Sequence, residues 1–161
     1  MANEFRIGHG FDAHRLRRGR KLVLGGVAIP HSKGLVGHSD ADVLLHALIN
    51  ALLGAMGEGD IGAHFPDHDP RYKGISSVTL LDTVLRLMRR KAFRLVNADV
   101  TLIAQGPRLA PYYGAMRKKV ATHIKIPEQR VNIKAATTEK LGWVGKGQGM
   151  AATAVVLLCR K

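Results

Sequence analysis

His38-Ser39-Asp40-Ala41-Asp42-Val43-Leu44-Leu45-His46 reads as the entrance of a helix that gathers acid and imidazole groups on one side. Ser39 with Asp42 three residues on has the form of a capping box. The Ser39 hydroxyl would take an orphan N–H of the first turn, and the acids at 40 and 42 suit the positive end of the helix dipole. Asp42 and His46 then stand one turn apart on the same face. Val43, Leu44, Ala47, Leu48, Ala51 and Leu52 make the apolar face, and Gly54 or Gly57 ends the helix. His38 lies just outside the cap, where free N–H groups favour an anion such as phosphate. Taken alone, the segment favours the plainer account, with Asp42 a cap and His46 an ordinary half-buried histidine.

Working outward, Gly34 to Gly37 is a flexible lead into this helix. Phe5–Gly10 and Lys21–Ile29 read as two strands joined through the basic turn at Arg18-Gly19, with Pro30 ending the second. Downstream, Gly57–Pro70 holds too much Gly and Pro for a regular element and is expected to be a functional or mobile loop. Ser76 or Ser77 starts a second helix, with Val78, Leu81, Leu85 and Met88 inward and Arg86, Arg89 and Arg90 outward. Leu95–Gln105 alternates as a strand with Val96, Ala98, Val100, Leu102 and Ala104 on one face, closed by Gly106-Pro107. Pro111 precedes a third helix through Tyr112, Met116, Val120 and Ile124. Val131–Ala136 and Met150–Leu158 are the last strands. The order β-β-α-α-β-α-β-β predicts an α/β (α+β) domain with a mixed sheet packed on helices, one domain over residues 1–161.

At 46% hydrophobic residues the chain supports a real core. Its longest apolar run, Leu44–Met56, is interrupted by His46 and Asn50, so no membrane span is expected. Met1-Ala2-Asn3-Glu4 leads straight into a strand with no apolar signal core, and the single Cys159 suits a reducing compartment; a cytoplasmic location is expected. The net charge of +13 points to anionic partners. It concentrates in Arg15–Lys21, Arg86–Arg94 and Arg117–Lys119, none interleaved with aromatics, so stacking platforms for nucleic acid are poorly supplied. Solvated basic faces that attract an anionic substrate account for it.

A second cluster, Gly8-His9-Gly10-Phe11-Asp12-Ala13-His14, changes the weight of the first. In an extended chain Asp12 and His14 point the same way, and with His46 they supply three ligands and an open position, the pattern of catalytic zinc. His9, on the other strand face, is expected to be packed or hydrogen-bonded. Asp60, Asp67 and Asp69 either bind hydroxyls of a polar substrate or serve as turn residues, and Asp69 is read as the latter. Gly145-Lys-Gly-Gln-Gly149 lacks the ending of a P-loop. Thr137, Thr138 and Glu139 follow a strand; they either offer a hydroxyl to phosphate and a carboxylate to a hard divalent ion or simply cap a turn.

Together, Gly8–His14, His38–Asp42 with His46, Gly59–Gly62 with His64-Phe-Pro-Asp67, Ala104-Gln105 with Pro107, and Thr137–Gly142 resemble the 2-C-methyl-D-erythritol 2,4-cyclodiphosphate synthase family over nearly the whole chain, in order and spacing. The resemblance, to the monofunctional form, implies a homotrimer with active sites between subunits. It implies that 4-diphosphocytidyl-2-C-methyl-D-erythritol 2-phosphate, a CDP-linked small molecule, cyclises with loss of CMP, a step of non-mevalonate isoprenoid biosynthesis. By motif match, Asp12, His14 and His46 hold Zn²⁺, Glu139 helps hold Mg²⁺ or Mn²⁺, and His38 and Thr137 steady the phosphates. Substrate would also meet Asp12, His14, Ser39, Ile61 and Phe65. Asp60, Gly62 and Asp67 take the methylerythritol part, and Ala104, Gln105, Pro107, Arg108 and Leu109 of the adjacent subunit take the cytidine. Ala136, Thr138, Trp143 and Lys146 complete the set. Ala136 stands for a common Thr; Trp143, Lys146 and Gln148 stand where Phe, Arg and Glu are usual, near the trimer axis; and Arg108 stands for Lys.

The chemistry agrees with that assignment. The nucleophile is the substrate's own phosphate, so the protein must orient and neutralise like charges, for which two cations and a helix N-terminus are suited. Asp42 fits as a cap or as a support for the ligands. A zinc-dependent nucleotide hydrolase is the alternative enzyme, but no general base such as the Glu of His-Glu-x-x-His stands beside the ligands. A basic nucleic-acid-binding module would explain the charge but not Asp12, His14 and His46.

Overall fold

The computed structural model describes residues 4–160. Fifteen residues, Glu4–Arg18, form β1, and the short strands β2 (Leu22–Leu24), β3 (Val27–Ile29) and β4 (Lys33–Val36) follow. Next come helix α1 (Val43–Met56), the single turn α2 (Ile61–His64), α3 (Ser77–Arg90) and strand β5 (Arg94–Ile103). The chain ends with α4 (Tyr113–Ile124), β6 (Val131–Ala136), the turn α5 (Gly142–Gly145) and β7 (Gly149–Arg160). Five strands make one sheet in the order β4-β1-β7-β5-β6, in which only β5 and β6 run parallel. This is the mixed sheet on helices that the element order implied. Helix α1 lies across β1 and β7, α3 packs on α1, and α4 packs on β6.

Glycines set how closely α1 approaches the sheet. A Cβ on Gly8 would lie 1.9 Å from the carbonyl oxygen of Ala51, and one on Gly10 would lie 2.0 Å from that of Ala47. The small face of α1, Ala47, Ala51 and Ala55, therefore rests directly on the β1 backbone. The opposite face of β1 is open: Phe5, Ile7 and Phe11 are 58%, 74% and 54% exposed, next to Val155 of β7 at 45%.

Several expectations are corrected. Ser39 does not cap α1; Asp42 does, as the plainer account has it, its carboxylate accepting Leu45 N–H at 3.1 Å and also the Gly25 and Gly26 N–H groups at 2.9 and 2.7 Å. Ser39 instead accepts Ala41 N–H one step earlier, at 3.1 Å. Helix α1 is not one-faced but buried all round except at Asn50 and Gly54, because β1 and α3 cover opposite sides. It ends at Gly57 in the left-handed region. Lys21–Ile29 is not one strand but the β2–β3 hairpin, since Gly25 and Gly26 both take positive φ and form a two-residue turn of the type that matches strand twist. In β5 an irregularity between Leu95 and Asn97 leaves Val96 half-exposed and buries Leu95, while Ala104 and Gln105 lie beyond its end. The 57–70 segment holds regular structure after all, in α2 and in a 3₁₀ turn beginning at Pro70.

Asp42 is fully buried. Burial pushes its carboxyl up to about 6, against the three backbone N–H bonds that favour the charged form. Asp42→Asn turns an amide NH₂ toward one of those N–H groups. It is expected to cost about 2 kcal/mol, read as a fall of roughly 4–8 °C in the melting temperature.

Candidate metal centre and cleft

The inner face of β1 runs Gly8, Gly10, Asp12, His14. Where the glycines end, α1 delivers His46, four residues into the helix. Asp12 Oδ2 lies 2.9 Å from both His14 Nε2 and His46 Nδ1, which are 3.1 Å from each other. A tetrahedral ion with bonds of about 2.0–2.1 Å separates its ligand atoms by roughly 3.3 Å, so this triangle accepts one after small outward shifts. His14 Nδ1 is 3.0 Å from Val36 O, which can only accept, so Nδ1 carries a proton and Nε2 is the nitrogen that faces the shared point. Burial alone would raise the Asp12 carboxyl, yet the hydrogen bonds from His14 and His46 override it and hold Asp12 well below the usual carboxylate range. Burial would likewise lower His14, but the Asp12 carboxylate reverses this and raises it. Three half-buried or buried donor atoms thus converge around a negative charge, an arrangement that fits a divalent cation.

These residues form one end of a cleft of about 770 Å³. Gly37, His38 and Ser39 line it from the α1 entrance, and Ile61, Gly62, Phe65 and Asp67 line it from the Gly/Pro segment. His38 Nε2 donates to Asp69 O at 3.0 Å, which fixes its ring. Asp60 does not line the cleft but caps α2 through Ala63 N–H at 2.9 Å. Asp69 is a turn residue, as read from the sequence, chelating the Arg71 guanidinium. His9 lies on the outer face of β1, 2.7 Å from Thr153 Oγ1.

The remaining predicted residues gather elsewhere on the chain. Ala104 N–H bonds Ala136 O at 3.0 Å, and Lys140 N–H reaches Gln105 Oε1 at 3.1 Å, tying the segments after β5 and β6 together. Thr137 Oγ1 donates to Glu139 Oε1 at 2.6 Å, with Glu139 at φ 51. Leu109 is buried in the core, whereas Arg108 is exposed. Trp143 lies over Gly149, and Lys146 is exposed. None of these residues, Pro107 and Thr138 included, lines the cleft of its own chain.

The cleft wall also holds His68, Tyr72 and Leu80, and Ser77 stands beside His46; none of the four is among the sequence-predicted site residues. Ser77 had a legible signal: Ser76 supplies the α3 cap, which leaves a second serine on the stripe of Leu81, Val84 and Met88.

The profile of the YgbB family matches residues 5–159. The chain is 60% identical over 153 residues, 95% of its length and 93% of the other, to the 2-C-methyl-D-erythritol 2,4-cyclodiphosphate synthase of Syntrophotalea carbinolica. Among solved structures, the bifunctional IspDF of Campylobacter jejuni superposes with a TM-score of 0.96 at 42% identity, covering 99% of this chain and 43% of that one. The CDP complex of Plasmodium falciparum IspF superposes at 0.87 with 32% identity, covering 100% of this chain and 99% of that one.

Proposed function

The chain belongs to the YgbB family, and from that membership we propose that it cyclises 4-diphosphocytidyl-2-C-methyl-D-erythritol 2-phosphate to 2-C-methyl-D-erythritol 2,4-cyclodiphosphate, releasing CMP. The observation that carries this reading is the convergence of Asp12, His14 and His46 at the end of a cleft large enough for a phosphorylated polyol. An oxygen of the 2-phosphate attacks the phosphorus nearer the methylerythritol. The bond from that phosphorus to the bridging oxygen breaks, and CMP leaves with the electron pair. No protein nucleophile is required, so the chain's task is alignment and charge balance.

Zn²⁺ held by Asp12, His14 and His46, and Mg²⁺ or Mn²⁺ held with the help of Glu139, would supply positive charge to the phosphate oxygens. His38 and Thr137 orient the phosphates, and Ser39 and Ala136 border them. Ile61, Gly62, Phe65 and Asp67 receive the methylerythritol part, on the turn that Asp60 caps. Two observations support a homotrimer: the open apolar face of β1 and β7, and the absence of residues 104–109 and 136–139 from the cleft of their own chain. A neighbouring subunit would bring the latter segments to the cleft, with Ala104–Leu109 against the cytidine and Thr138, Trp143 and Lys146 close by.

Phosphorus NMR of the protein with substrate, Mg²⁺ and trace Zn²⁺ tests the reading. A cyclic diphosphate with equimolar CMP is expected. CMP without it would indicate a hydrolase, and salt-dependent retention on duplex DNA would favour a nucleic-acid-binding module. The assembly predicts a solution mass three times the 17.5 kDa of one chain. Glu139→Gln should raise the Mg²⁺ needed for half-maximal rate by roughly tenfold while zinc content stays unchanged. Unaltered Mg²⁺ dependence would remove Glu139 from its role.

A further inference from the structure

Asn50 breaks the apolar run of α1 and is one of two residues of that helix that are not buried. It follows His46 by one turn, on the same side of the helix. A Cβ on Gly10 would lie 3.0 Å from the Asn50 Cβ, so Asn50 stands close over β1 just before Asp12. Its amide is spent on two backbone groups from different elements. The NH₂ donates to Phe11 O of β1 at 3.3 Å, and Oδ1 accepts the N–H of Ile61, the first residue of α2, at 2.9 Å.

The second bond matters because α2 is otherwise tied mainly to itself. Asp60 caps it through Ala63 N–H, Phe65 N–H closes on Ile61 O, and His64 Nε2 donates to Glu58 O, all within the 57–70 segment. Ile61 and Phe65 also pack against the core, but apolar contact has no direction and does not fix how the turn is aimed. Among the described residues, Asn50 makes the one hydrogen bond that the α2 backbone receives from another element.

We propose that Asn50 is a positioning residue that bolts the polyol-binding turn at α2 to the seam between α1 and β1, so that its loss weakens the hold on substrate and leaves the metal centre in place. Phe11 O only accepts and Ile61 N–H only donates, so the group between them must do both. A neutral amide does this with each end committed: its NH₂ on β1 turns its oxygen toward α2. One surface of α1 then carries both His46, which reaches Asp12, and the bolt that sets Ile61 and Gly62 in the cleft wall. The ion and the turn therefore keep one spacing. A substrate held at both ends depends on that spacing, since an ångström of misplacement can cost roughly a hundredfold.

The inference rests on the reading that α2 receives the polyol, and its test keeps the two apart. In the full-length, zinc-loaded wild type, amide NMR should show Ile61 N–H exchanging with solvent roughly tenfold more slowly than in Asn50→Ala. In turnover of the diphosphocytidyl substrate, Asn50→Ala should raise KM roughly tenfold while kcat stays within about threefold and zinc content is unchanged. Asn50→Asp keeps an oxygen for Ile61 N–H whichever way the group turns, so it should return KM to within about threefold of wild type. Should Asn50→Ala not fold, Asn50→Gln, whose longer arm carries the oxygen away from Ile61, takes its place under the same outcomes. Equal Ile61 exchange in the wild type and the folded variant overturns the proposal. Faster exchange with unchanged KM leaves a structural bond only and overturns the positioning role, as does an Asn50→Asp no better than Asn50→Ala. A wild type with a slow Ile61 amide that forms no cyclic diphosphate would overturn the cyclase reading instead.

Discussion

His46→Ala is expected to lose bound zinc and at least a thousandfold in turnover while keeping the fold. The imidazole supplies one of the three donor atoms that converge in the centre among the described residues, each about 3 Å from the other two. Asp12 and His14 are neighbours on one strand and do not enclose an ion without the third donor. A thousandfold loss corresponds to about 4 kcal/mol of transition-state stabilisation, the scale on which preorganised charge acts in phosphoryl chemistry. Because the ring borders the cleft, water can satisfy Ser39 and Ser77 once it is gone. The metal-free variant should therefore melt close to the metal-free wild type. It should lack the added stability of about 4 kcal/mol that a ligand at a thousand times its dissociation constant confers. Metal analysis and melting curves with and without Zn²⁺ check this, and full zinc occupancy in the variant would sink the ligand assignment.

Gly10→Ala should be among the most damaging single-methyl additions in the chain. The added carbon would sit 2.0 Å from Ala47 O and 2.5 Å from Ala51 N, which are helix backbone rather than a side chain able to rotate away. Helix α1 must lift from β1 by an ångström or more, opening the seam where Ala47 and Ala51 rest on the β1 backbone. The expected loss exceeds about 3 kcal/mol, a large part of the 5–15 kcal/mol that holds an ordinary domain together. The variant should be poorly soluble or melt far below wild type. What folds should bind zinc weakly, since the same displacement carries His46 away from Asp12. A normal melting temperature with normal zinc affinity would show that the seam is softer than its geometry implies.

Strand alternation is enough to pair Asp12 with His14, and local rules narrow the end of α1 to Gly54 or Gly57 and find Leu81, Leu85 and Met88 of α3 and Met116, Val120 and Ile124 of α4 on the inward faces. What local rules missed was settled at long range. Ser39 and Asp42 both satisfy the cap pattern, but only Asp42 also closes the Gly25-Gly26 turn. That turn was itself legible as a hairpin signal, being two adjacent glycines between β-branched and aliphatic residues. The displaced Val96 depends on pairing between β5 and β7, which no periodicity encodes. The meeting of His46 with Asp12 depends on glycine against alanine across two elements. Segment 104–109 is marked by motif alone, and local rules leave Thr137–Glu139 open between phosphate and ion binding and a turn, since within one chain the two segments touch each other and not the cleft.

That separation of two groups on a single chain has a genetic consequence. If each cleft is completed by a neighbour, chains crippled at His46 and chains crippled at Glu139 are defective in different halves of a shared site. Mixed at equal ratio in random trimers with head-to-tail contacts, an intact half of one kind meets an intact half of the other at about one site in four. Two alleles, each without function in its own homotrimer, would then complement one another inside one cell.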